Sequence, residues 1–108
     1  VLVVSALAQV EAKAALAAAT RADRLSARQH RGAKAKIDEL LGSAMRIGVS
    51  DGVIDAASDL AEQQSLRGYD AIHLASALGV RARVMVSADR DLCAAAQRTG
   101  MHVANPGA

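Results

Sequence analysis

A chain of 108 residues, 52% of them apolar, has the size of one domain with a single core. With 22% charged residues and a net charge of +2, it is too apolar and too nearly neutral for charge-driven disorder. The apolar half is built from small side chains: 26 residues are Ala, Tyr69 is the only aromatic, and Phe and Trp are absent. That excludes modules that read single strands by stacking bases on aromatic platforms, such as RRM, OB and cold-shock domains. Cys93 is the only cysteine, which excludes an intrachain disulfide framework and a multi-cysteine zinc site and fits a reducing cytoplasm. Stretches without a formal charge, such as Val1 to Val10 and Ala71 to Val80, fall far below the roughly 18 apolar residues of a membrane span. The opening Val1-Leu2-Val3-Val4 has no Met and no basic run before it, so it reads as a chain beginning mid-domain, not as a signal peptide.

Along the chain, Val1 to Val4 is a short β-branched run expected to form a strand, and Ser5 is expected to cap an Ala-rich helix over Ala6 to Ala22. The following block from Thr20 to Lys36 carries a local charge of +5, and residues 37 to 62 carry −5. Such blocks read either as solvated helix faces or, for the first, as a phosphate-binding arm. A second helix is expected over Ala33 to Met45. A third, capped by Ser50 or Asp51, runs to about Ser65, with Asp51, Asp55, Asp59 and Glu62 on one face and Val53, Ile54, Ala57, Leu60 and Ala61 on the other. Ala71 to Leu78 is apolar except for His73 and Ser76, the pattern of a helix buried nearly all round and ended by Gly79. Arg83 to Ser87 reads as a strand covered on both faces, Asp89 to Arg98 as a helix, and Met101 to Ala104 as another short strand. Helices alternating among short strands without hairpin dipeptides indicate an α/β class, with helices on both faces of a small parallel sheet.

Three carboxylates fall at positions where a charge is costly. Glu11 lies away from Gln9 and Lys13, on a helical stripe with Leu7, Ala14, Ala15 and Ala18, where it needs a cation, a metal or an edge position. Asp70 opens the buried helix, where capping alone would favour it, and His73 lies on the same side, as a core histidine or an orienting group. Asp89 follows a strand and precedes a helix, sharing its turn with Ser87 and Asp91, at the strand end where open α/β sheets bind ligands. Either Asp of that turn can be a cap. Taken together, three carboxylates on separate elements make an all-oxygen ligand set suited to Mg²⁺ or Mn²⁺ and to metal-assisted phosphodiester hydrolysis.

The stretch Leu66-Arg67-Gly68-Tyr69-Asp70-Ala71-Ile72-His73-Leu74-Ala75-Ser76-Ala77-Leu78, the turn Val86-Ser87-Ala88-Asp89-Arg90-Asp91-Leu92 and the ending Gly100-Met101-His102-Val103-Ala104-Asn105-Pro106 resemble the C-terminal half of a PIN domain. The closest resemblance is to VapC-type toxins of bacterial toxin-antitoxin pairs, and Ser5-Ala6-Leu7-Ala8-Gln9-Val10-Glu11 looks like the family segment supplying a second acid. The resemblance covers essentially all of residues 1–108 and implies a single domain with a three-layer α/β/α fold. It further implies a cytoplasmic endoribonuclease dependent on Mg²⁺ or Mn²⁺, with Glu11, Asp70 and Asp89 as catalytic metal ligands and Ser87 as the hydroxyl beside them. A cognate antitoxin and a homodimer are the implied partners. Arg67, with the basic arm, is expected at the RNA backbone on charge alone, and His73 at the substrate. PIN domains usually begin with a strand bearing an Asp shortly before a Ser or Thr. This sequence starts at the strand before Glu11, so the first strand is expected to be missing, and the alternative reading is an inactive PIN-like remnant that dimerises or binds an antitoxin.

Overall fold

The computed structural model describes residues 2–106. Among them, five helices alternate with four short strands, and both strand pairs are parallel, as an α/β chain requires. The contacts divide the chain into two compact units that meet between Gly48 and Val49.

The first unit runs β1 (Val3–Ser5), α1 (Leu7–Arg21), α2 (Ala27–Gly42) and β2 (Met45–Ile47). β1 and β2 pair in parallel, with Val3 opposite Met45 and Ser5 opposite Ile47. The sequence pattern had no strand at Met45–Ile47, because three residues are too few to show a period. Ser5 belongs to β1 and does not cap α1 as expected: the N-cap is Ala6, which makes no side-chain cap bond, although the Leu7 amide still donates to Ser5 Oγ at 3.3 Å. α2 begins six residues before its expected start, because Ser26 and Gln29 form a reciprocal capping box. The two helices are tied by a 2.6 Å hydrogen bond between Thr20 Oγ1 and His30 Nδ1 and by the Lys13–Asp38 ion pair. No residue of either helix is buried, and Ala14 and Ala15 are exposed, so the stripe bearing Glu11 is not a core stripe.

The second unit runs α3 (Asp51–Gln64), α4 (Gly68–Gly79), β3 (Val84–Val86), α5 (Arg90–Arg98) and β4 (His102–Ala104). Its core gathers Ala57 from α3, Ala71, Leu74 and Ala75 from α4, Ala95 and Ala96 from α5, and the two methionines Met85 and Met101. Five of these eight are alanines, so the helices approach closely, and among the described residues Leu74 is the one large side chain with no exposed surface. The acids of α3 are exposed as expected, whereas Ile54 is 41% exposed at the rim of a groove it shares with Ile72. β3 and β4 pair in parallel across α5, Val84 opposite His102. Met85 points into the core, but Val84 and Val86 are 50% and 65% exposed, so the strand is not covered on both faces as its apolar run suggested. A run of Val and Met reads as uniformly apolar, and only packing tells the two faces apart.

The helix ends share one device. After α1, α3, α4 and α5, a residue with positive φ lets the next amide reach back to the carbonyl five residues earlier: Arg24 to Ala19, Leu66 to Ala61, Ala82 to Ala77 and Met101 to Ala96. Only the last of the four uses glycine, Gly100, at φ 95°; Asp23, Ser65 and Arg81 adopt the left-handed conformation at φ 57°, 54° and 57°.

Candidate active site

The carboxyl end of β3 and the amino end of α4 bring two of the sequence-predicted acids to one cation. Arg67 is the N-cap residue of α4, extended at ψ 154°, and its side chain makes no cap bond. Its Nε donates to Asp70 Oδ2 at 3.1 Å and its Nη2 donates to Asp89 Oδ2 at 2.7 Å. One guanidinium thus joins two carboxylates 19 residues apart in sequence. Its Cζ also lies 5.1 Å from the centroid of the Tyr69 ring.

Asp70 is in the first turn of α4 and is not its cap. It is buried at 5% exposure, which a carboxylate tolerates when it is ion-paired and set at a helix amino end, where the peptide dipoles favour negative charge. Asp89 is the N-cap of α5, its Oδ1 accepting from the Leu92 amide at 2.9 Å. Capping and ion pairing therefore use different oxygens of the same carboxylate. The Leu92 amide, and after it the Arg67 charge, hold the Asp89 carboxyl below the usual carboxylate range, while partial burial acts the other way. Hydrogen bonding to Asp70, then its charge, raises the Arg67 guanidinium above its ordinary value, so it stays charged.

Ser87, half-buried, builds the turn that presents Asp89. Its Oγ accepts from the Asp89 amide at 3.0 Å, its carbonyl accepts from Cys93 Sγ at 3.2 Å, and its own amide donates to the Ala104 carbonyl at 3.2 Å. The hydroxyl expected beside the acids therefore acts on the backbone of one of them. His73 is half-buried on α4, one turn beyond Asp70. Glu11 is half-buried on α1, in the first unit. Among the described residues no group of three or more His, Cys, Asp or Glu side chains is gathered in the manner of a metal site. Arg67, expected at a phosphate backbone on charge alone, has its guanidinium engaged here by the two acids. Its i, i+3 spacing from Asp70 was a legible sign of the first ion pair. The second has no local sign, because Asp89 is 22 residues away.

Asp70 and Asp89 supply the hard oxygen donors that Mg²⁺ and Mn²⁺ take, and they already converge on a positive charge, so the residues fit such an ion. No helix among the described residues is long and apolar enough to cross a membrane.

Comparison with known proteins adds an independent line. A family model described as PIN domain matches residues 1–98. The chain is 37% identical over 102 residues to Ribonuclease VapC45 of Mycobacterium tuberculosis (strain CDC 1551 / Oshkosh), covering 93% of this chain and 71% of that protein. Ribonuclease VapC49 of Mycobacterium tuberculosis (strain ATCC 25618 / H37Rv) matches with the same identity and coverage. No solved structure matches.

Proposed function

Since this chain belongs to the PIN-domain family and is of the VapC type, we propose that it is a metal-dependent endoribonuclease toxin hydrolysing RNA phosphodiester bonds. The observation that carries the reading is the convergence of Asp70 and Asp89 on one guanidinium at the end of β3, where parallel α/β folds place their ligand sites. Both relatives are named as ribonucleases, which supports RNA as the substrate. The match runs through both units and supports reading 1–108 as one PIN domain.

Asp70 and Asp89 would hold Mg²⁺ or Mn²⁺, and Glu11 is proposed as a further carboxylate of the set on the family resemblance. When bound, the ion supplies a water of lowered pKa and positive charge against the phosphate. The chain's own residues prepare the place: the first turn of α4 presents Asp70, while Ser87 and the Leu92 amide fix the Asp89 backbone and one of its oxygens. Arg67 and His73 are proposed to meet the substrate, and the six basic residues between Thr20 and Lys36, all exposed, offer contacts to the phosphate backbone. The proposed partners are a cognate antitoxin and a second copy of the chain, both on the family resemblance. A cytoplasmic location is proposed on the family resemblance. Asp70→Asn is expected to abolish Mg²⁺-dependent cleavage of single-stranded RNA while leaving the circular dichroism spectrum unchanged. Cleavage at the original rate would refute the assignment.

A further inference from the structure

We propose that Arg67 is an exchangeable resident cation: it holds Asp70 and Asp89 convergent in the metal-free protein and is displaced when a divalent cation takes the two carboxylates. The inference rests on the reading of those acids as cation ligands and adds a competitor built into the chain.

The oxygens set up the competition. Asp89 Oδ1 is occupied by the Leu92 amide, so Oδ2 is the oxygen it directs to a cation, and Arg67 Nη2 already sits on that atom. At Asp70 the guanidinium again uses Oδ2. A divalent ion held by the pair would compete with Arg67 for the Asp89 oxygen that the Leu92 amide leaves open. Two ionised carboxylates facing one point also repel each other, so the metal-free protein needs a positive charge there, and Arg67 supplies it. The guanidinium keeps its proton across the accessible pH range, so near neutral pH the contact yields to a rival cation and not to deprotonation of Arg67.

Release is structurally cheap. The Arg67 side chain is 63% exposed, whereas Asp70 is 7% exposed, so the mobile member of the trio is the arginine. Arg67 caps α4 with its backbone alone, so moving the side chain leaves the helix start intact. Tyr69, 42% exposed, already lies within cation–π distance and gives the freed guanidinium a seat beside the site. From there it can meet a phosphate, which reconciles its present contacts with the RNA contact proposed above.

The test is calorimetric titration of this chain with Mn²⁺, in the wild type, Arg67→Gln and Asp70→Asn, together with ¹⁵N NMR of the arginine side chains during a Mg²⁺ titration of the wild type. Arg67→Gln is expected to bind Mn²⁺ about three- to tenfold more tightly, the worth of two ion pairs made by a largely exposed guanidinium. The Arg67 Nε–H resonance is expected to move to the position of an unpaired arginine as Mg²⁺ saturates. Equal or weaker Mn²⁺ binding by Arg67→Gln, with binding still lost in Asp70→Asn, overturns the competition and leaves the ligand assignment standing. Mn²⁺ binding that is absent, or indifferent to Asp70→Asn, overturns both. If Arg67→Gln does not fold, the wild-type resonance decides: an Arg67 Nε–H signal unmoved at saturating Mg²⁺ overturns the proposal.

Discussion

Asp89 carries two separable interactions on two oxygens, and paired substitutions can measure each. Asp89→Asn keeps an oxygen able to accept from the Leu92 amide but removes the charge facing Arg67, whereas Asp89→Ala removes both. Loss of an N-cap costs about 0.5–2 kcal/mol. The ion pair, with side chains 63% and 29% exposed, is worth no more than about 0.2–1 kcal/mol. At pH 7, urea unfolding followed by circular dichroism should place Asp89→Ala about 1–2 kcal/mol below the wild type, and Asp89→Asn less than about 1 kcal/mol below it. The pH dependence has a definite sign. The carboxyl is held below its unfolded value of about 4, so its charge contributes stability above that pH and loses it as the pH falls through the lower folded value. The gap between wild type and Asp89→Asn should therefore be constant from pH 7 down to about 5 and close below about pH 4. Equal stability of the Ala and Asn variants at pH 7 would refute the cap. A wild-type to Asn gap that widens on acidification would refute the charge argument.

Two further outcomes test the fold. Leu74→Ala should cost about 3–5 kcal/mol in urea unfolding, since Leu74 has no exposed surface and the alanines packed around it cannot close the cavity; a loss below about 2 kcal/mol would show that the core collapses around the gap. Ser65→Gly should stabilise the chain by about 0.5–1 kcal/mol, because Ser65 holds φ 54° at the end of α3. A thermal melt showing no gain, or a loss, would mean that the serine side chain contributes more than its backbone strain costs.

Most of the helices were legible because their information is local. The four-residue spacing of Asp51, Asp55 and Asp59 marks the exposed face of α3, and Ser50 marks its start, with Oγ accepting from the Val53 amide at 3.2 Å. The short strands were less legible: β2 has three residues with no period to read, and the apolar run of β3 hid one open face. The helix ends were least so, since Asp23, Ser65 and Arg81 take a conformation that composition assigns to glycine.

Asp70 and Asp89 could be picked out from the sequence, because each stands where a helix begins beside an apolar run and because their neighbours resemble a family. Their roles toward one another could not. Asp89 as a cap is a relation over three residues and follows from local chemistry, whereas Arg67 bridging Asp89 and Asp70 depends on where the end of β3 lies against the start of α4. That placement is set by the packing of α4 and α5 around Leu74 and Ala95, whose spacing no local pattern encodes. The sequence alone singled out Asp70 and Asp89 as acids at helix starts; the tertiary structure decided that Arg67 pairs with both, since ion pairs form by distance in space and not along the chain.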